Sequence, residues 1–165
     1  MRVPIRKPGK YTHLKPDPNL TEDKFNEFKN KLERLKAARP AAIKEVKRLA
    51  EMGDFSENAA YQIAKGHLRG INDRISDLQE RLKKARIIET TGGKDRVGLG
   101  SKVTIEISGQ RKTYLILGSA ETDPNQGVIS HNSPLGAALI GKKVFDLIEI
   151  KLGNKEVECK IVKIE

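Results

Sequence analysis

The chain has 165 residues, with 32 Lys plus Arg against 22 Asp plus Glu, a formal charge of +10 and a pI near 9.7. Hydrophobic residues make up 37% and aromatics 4%, below the roughly 45–50% apolar content of ordinary globular domains, so a single large core is excluded and an elongated chain of one or two small domains is expected. One cysteine excludes an internal disulfide and a cysteine-based zinc cluster, and His13, His67 and His131 lack metal-ligand spacing.

Residues 1–20 hold four of the seven prolines (Pro4, Pro8, Pro16, Pro18), five basic residues and no acid before Asp17. This composition predicts an extended tail that either lies along RNA, DNA or a partner, or is simply solvated. Arg2, Arg6, Lys7 and Lys10 precede no apolar block of the about 7–15 residues that a secretory signal needs. No apolar run nears the roughly 20 residues that span a bilayer. A cytoplasmic protein without membrane association is expected.

Thr21 followed by Glu22 and Asp23 signals a helix start, a hydroxyl cap and then acids suited to the positive end of the dipole. Phe25, Phe28, Leu32, Leu35, Ala42, Val46 and Leu49 then recur at steps of three and four, with Arg39 the polar position on that seam. Pro40 is expected to interrupt or kink the helix, and Gly53 to end it. A second series, Tyr61, Ala64, Leu68, Ile71, Ile75, Leu78 and Leu82, keeps a seven-residue repeat. Two such helices joined by a turn of about three to five residues must fold back as an antiparallel hairpin, a rod of about 48 Å if residues 21–52 are helical.

The turn reads Gly53-Asp54-Phe55-Ser56-Glu57-Asn58-Ala59-Ala60-Tyr61 and places two acids on a basic rod. Asp54 or Ser56 can cap the second helix and Glu57 can sit in its first turn, together worth about 1–2 kcal/mol. Alternatively Asp54 and Glu57 can converge on one cation. Mg²⁺ takes about six oxygens, so two carboxylates make a weak site unless another protein supplies the rest.

Residues 90–96 have the composition of a linker, after which the period becomes two. Val103, Ile105 and Ile107 alternate with Lys102, Thr104 and Glu106, residues 114–117 add an apolar run after Gly109, Val128 and Ile129 form a short run, and alternation returns over residues 144–150 and 157–161. Ser133-Pro134 opens a short helix that Gly141 closes. Cys159 falls on a core position with nothing adjacent to stabilise a thiolate. The expected fold class is α+β: an N-terminal antiparallel α-helical coiled-coil hairpin followed by a small antiparallel β-sheet domain with one short helix. The expected layout is a tail over 1–20, the hairpin over 21–89 with its acidic tip at 53–58, a linker over 90–96 and the sheet domain over 97–165. Up to Arg96 there are 23 basic and 14 acidic residues, net +9; beyond it 9 and 8, net +1. Such an excess suits a polyanionic neighbour, and equally a lysine-rich soluble helix surface.

The turn motif resembles the tip of the bacterial GreA/GreB transcript-cleavage factors, Gly-Asp-x-x-Glu-Asn-Ala-x-Tyr. Arg39-Pro40 and Ile129-Ser130-x-Asn132-Ser133-Pro134-Leu135-x-x-Ala138-Leu139-Ile140-Gly141 are similar to the family's pattern as well. The resemblance, closest to GreA, covers residues 21–165. It implies an FKBP-like C-terminal domain, a statement of shape rather than activity. It further implies a monomeric accessory factor that is no enzyme itself and docks on bacterial RNA polymerase. Its hairpin would enter the secondary channel, and the tip acids would help hold Mg²⁺ and the attacking water while the polymerase cuts backtracked RNA.

By motif position Asp54 and Glu57 are the metal-supporting acids, with no cofactor of the chain's own and Mg²⁺ shared in the polymerase active centre. Ser133, Pro134 and Leu135 are the implied docking surface, or else a helix start that packs on the sheet. Lys65, Arg69 and Arg74 either face the nascent RNA 3′ end or the channel wall, or are plain helical surface charges. Tyr61 matches the tip tyrosine, but its heptad position gives it helix packing. Ala60 departs from the pattern, many relatives having an acid there, and residues 1–20 exceed the family's usual start.

A channel-binding inhibitor with the same fold is the alternative, disfavoured because a plug needs no pair of acids. A prolyl isomerase on the sheet domain is disfavoured because only Tyr114 and Phe145 supply aromatic rings after residue 96. A stand-alone nuclease would lack most of its metal ligands.

Overall fold

A computed structural model describes residues 16–52, 59–88, 95–107, 109–152 and 155–165, and gives residues 151, 152, 155 and 156 as backbone alone. The statements below concern those residues. Asp54 and Glu57 lie outside them.

Strand β1 (Asn19–Leu20) leads into helix α1 (Glu22–Ala50). The Thr21 hydroxyl caps α1 by accepting the Lys24 N–H at 3.2 Å, and Glu22 and Asp23 occupy the first turn. α1 runs through Pro40 as one 29-residue helix, about 43 Å long. Pro40 is exposed, so the Lys36 carbonyl that loses its helical donor faces water, which limits the cost of the proline. Helix α2 (Ala59–Lys84) follows and ends in Arg81, Lys83 and Lys84, suited to a helix C-terminus.

The buried face of each helix is the one the heptad spacing marks out. Leu32, Leu49, Ile71 and Leu78 are buried, and Phe25, Phe28, Leu35, Ala42, Val46, Tyr61, Ala64, Leu68, Ile75 and Leu82 are half-buried beside them, while Arg39 is exposed. Strand β2 (Arg86–Ile87), just after α2, pairs in parallel with β1, just before α1. The start of α1 therefore lies beside the end of α2, and the helices are antiparallel. Leu20 and Ile88 are buried at this base.

Strands β3 (Lys102–Ile107), β4 (Gln110–Leu117), β5 (Val128–Ser130), β6 (Leu147–Leu152) and β7 (Lys155–Ile164) form a sheet in the order β5-β4-β3-β7-β6. Helix α3 (Pro134–Leu139) packs on it. The β3–β4, β3–β7 and β6–β7 pairs are antiparallel, as expected, whereas β5 departs from the all-antiparallel sheet expected and runs parallel to β4. The chain reaches that orientation through two single-turn 3₁₀ segments, Ser119–Glu121 and Pro124–Gln126, with Gly127 at φ 73°. The core is Val97, Val103, Ile105, Ile116, Leu139, Ile148, Ile150, Cys159, Ile161 and Ile164. Burial pushes the Cys159 thiol pKa up, so it is an inert core residue.

The alternation expected from residue 144 starts late, at Leu147. Phe145 adopts φ 74°, a strained value for a bulky residue. It is held there by a turn in which Asp146 accepts the Lys143 N–H at 2.8 Å and Phe145 N–H donates to the Ile161 carbonyl at 2.8 Å. Strand geometry begins only beyond that turn.

Candidate functional site

Three groups of residues carry the functional expectations, and they lie apart. The tip acids Asp54 and Glu57 belong to the segment that joins Ala50 of α1 to Ala59 of α2, outside the described residues. Ala50 and Ala59, the helix ends that this segment joins, stand at the end of the hairpin opposite β1 and β2. Met52 on one side and Ile63 on the other are 68% and 73% exposed. Ile63 lies off the seam, whereas Tyr61, on the seam and nearer the turn, is half-buried. Carboxylates are hard oxygen donors that suit Mg²⁺, but two fill a minority of an octahedral shell. Among the described residues no group of three or more His, Cys, Asp or Glu could hold a metal ion.

Lys65, Arg69 and Arg74 on α2 are all exposed. The Lys65 ammonium lies 5.9 Å from the centroid of the Tyr61 ring, and Arg69 approaches Asp73 at 3.8 Å with both side chains largely in solvent. Exposed pairs of this kind contribute little energy and leave the charges available to an external anion. The helices as a whole are basic. α1 carries nine basic and five acidic residues, net +4, and α2 six and three, net +3. Several of the acids are held in pairs one turn apart: Glu27 with Lys24, Glu33 with Lys36, Glu45 with Arg48, Asp77 with Arg81 and Glu80 with Lys84.

Ser133, Pro134 and Leu135 start α3 and do three different things. Ser133 caps the helix: its hydroxyl accepts the Gly136 N–H at 3.0 Å and donates to the Ser130 carbonyl at 2.6 Å. Leu135 packs against the core, while Pro134 is exposed at the first helical position. Gly136 has to be glycine, because a Cβ there would come within 2.1 Å of the Ser130 carbonyl oxygen. The segment is thus built into the fold on one side and open to a partner at Pro134.

A fourth group was not visible in the sequence. Residues 16–21 bind both the hairpin base and the sheet domain. Pro18 and Leu20 carbonyls accept from Arg86 and Ile88 N–H at 2.7 and 2.8 Å, on the hairpin side. On the sheet side the Asp17 carboxylate accepts the Ser119 N–H at 2.8 Å and its hydroxyl at 3.0 Å. Burial raises the Asp17 pKa, but the bonds from Ser119 and Asn19 and the neighbouring His131 outweigh it and hold the carboxyl below its ordinary value. The local signal was the Asp17-Pro18-Asn19 sequence, which forms an Asx turn with Asn19 N–H donating to Asp17 at 3.1 Å. Nothing local marks Ser119, 102 positions later.

Family models agree with this two-part build. One described as "Transcription elongation factor, N-terminal" matches residues 19–87, and one described as "Transcription elongation factor, GreA/GreB, C-term" matches residues 92–165. The chain is 39% identical over 149 residues to the transcription elongation factor GreA of Macrococcus caseolyticus, covering 88% of this chain and 94% of that one. It is 37% identical over 148 residues to GreA of Bacillus subtilis, with the same coverage of 88% and 94%. Among solved structures, GreA factor homolog 1 of Thermus thermophilus is 30% identical, with a TM-score of 0.41, covering 89% of this chain and 97% of that one. On the strength of both family models and of the two GreA sequences, matched along nearly their whole length, the chain belongs to the GreA/GreB family of transcription elongation factors.

Proposed function

We propose that this protein binds bacterial RNA polymerase, inserts its hairpin into the secondary channel and stimulates the polymerase's own cleavage of backtracked nascent RNA, which rescues arrested complexes. The observation that carries the reading is the pair Asp54 and Glu57, in the family's tip motif, on the segment between two helices whose shared seam makes a slender rod. In this reading the two carboxylates hold a Mg²⁺ ion jointly with the polymerase and orient water at the RNA. Asp54 and Glu57 would hold the ion with part of its oxygen shell, and Mg²⁺ there would supply Lewis-acid polarisation of the phosphate and a more nucleophilic water. The chain itself supplies reach and two oxygen donors, and the polymerase supplies the remaining ligands. It is therefore an accessory factor rather than a nuclease. Exposed Lys65, Arg69 and Arg74 face the RNA 3′ end or the channel wall, and the sheet domain docks through the surface around Ser133, Pro134 and Leu135. The factor acts as a monomer in the cytoplasm, where transcription takes place.

The test is a cleavage assay on stalled elongation complexes with Mg²⁺. The protein releases short 3′ RNAs, and Asp54→Ala or Glu57→Ala lowers the release rate on the order of a hundredfold, the scale of losing a contact made to developing charge. Polymerase binding, measured in parallel, is retained. Unchanged cleavage in both variants overturns the mechanism, and slower RNA shortening on addition of the protein would identify an inhibitor.

A further inference from the structure

The hairpin and the sheet domain meet at one joint, and a single carboxylate ties its parts together. The Asp17 side chain is 5% exposed. Its Oδ2 accepts the Ser119 N–H at 2.8 Å and the Ser119 hydroxyl at 3.0 Å, with Asn132 Nδ2 at 3.5 Å and His131 Nδ1 at 3.4 Å. All three partners lie in the sheet domain. Its Oδ1 accepts Asn19 N–H and Nδ2 at 3.1 and 2.9 Å, and Asn19 is the residue of β1 that pairs with Arg86 beyond the end of α2. One charged group, satisfied on both oxygens, therefore links the two bodies with charge-assisted bonds.

Two further contacts share the joint. Thr21, the cap of α1, donates its N–H to Glu121 Oε2 at 2.9 Å and its hydroxyl to the other oxygen of that carboxylate. The first turn of the rod is thus fixed by a side chain of the sheet domain. At Gly118 a Cβ would come within 1.9 Å of the Asn19 carbonyl oxygen, so the segment before α1 lies directly on the sheet domain's backbone.

The lever arm gives this joint its importance. A rod of about 43 Å turned by about 10° at its base moves its far end by about 7 Å, whereas a displacement of about 1 Å at a reacting centre can cost a hundredfold in rate. We propose that Asp17 is a positioning residue for transcript cleavage: its bonds to Ser119, Asn132 and Asn19 set the angle between the sheet domain, which docks, and the hairpin, which carries the tip acids. The role rests on the cleavage-factor reading above. Asp17 stands before residue 19, where the N-terminal family model begins, and it acts through the hairpin without touching RNA or metal.

Two measurements on the full chain test this. Nitroxide labels at Lys44→Cys on α1 and Lys112→Cys on β4, both exposed positions, report the joint angle in the free protein by pulsed electron spin resonance. The parent gives one narrow distance distribution. Asp17→Ala broadens or shifts it, and Asp17→Asn, which keeps one oxygen for the Ser119 N–H, falls between. In the cleavage assay at saturating factor, Asp17→Ala lowers the rate at least about tenfold while polymerase affinity changes less than about threefold, a split that a docking or folding defect would not produce. Glu121→Ala, at an independent contact of the joint, gives the same pattern if Asp17→Ala folds poorly. An unchanged distance distribution in both variants, or full cleavage at saturation by both, overturns the proposal. If the parent protein stimulates no cleavage, the cleavage reading and the positioning role both fall, while the label distances still report whether Asp17 sets the angle.

Discussion

Asp17 shows how much one side chain's surroundings matter when its neighbours are remote in sequence. Its carboxyl is held below its ordinary pKa, so the folded state binds that proton less readily than the unfolded chain does. The stability this contributes is complete above the ordinary carboxylate value near 3.8 and disappears as pH falls through the lower folded value. The melting temperature of the parent minus that of Asp17→Asn should therefore shrink as pH falls from about 5 towards 3. Glu45, Glu80 and Glu165 are held low as well, by Arg48, Lys84 and Lys163, but they are exposed and common to both proteins, so they cancel in the difference. A difference independent of pH over this range would show that the charge on Asp17 does not matter. At this scale the sequence was least informative. Ser133 could be read as a helix start from its Ser-Pro context, and it caps that helix; Asp17 fell in the extended tail expected over residues 1–20, because its main partner is 102 positions away.

Among the elements, the helices were the most legible. Apolar positions three and four apart can share a face only on a helix, and the residues so marked are all buried or half-buried in α1 and α2. Leu78→Ala should therefore destabilise the hairpin by about 2–3 kcal/mol, the lower part of the range for a buried leucine because a two-helix seam can partly collapse. Ile63→Ala, at a position 73% exposed, should change stability by less than about 0.5 kcal/mol. Chemical denaturation of the two variants measures both, and equal losses would mean that the heptad register does not set the packing. Strands were legible as runs of period two but not in their neighbours or limits. The parallel placement of β5 beside β4 depends on the path through residues 118–127, and the late start of β6 on a turn that puts Phe145 in a left-handed conformation. Neither leaves a mark in local alternation.

For the whole molecule, the charge of +10 is concentrated on the side of the chain that builds the hairpin. α1 and α2 alone carry +7, the sum of +4 and +3. A positive rod approaching a complex of RNA and DNA is steered by long-range attraction that salt screens within about 8–10 Å. The association rate with elongation complexes should fall several-fold between about 50 and 300 mM salt, while the dissociation rate changes less. Stopped-flow binding at a series of salt concentrations checks this, and a flat association rate would assign the basic residues to solubility alone.

The pairing of β1 with β2 has a practical consequence for anyone handling the protein. Because the chain enters α1 and leaves α2 at the same place, residue 16 emerges at the hairpin base, beside Asp77, Glu80, Arg81 and Lys84 of α2. A handle ahead of residue 16 is tethered a full helix length from the tip, so the molecule can be immobilised from that end with its far end presented outward.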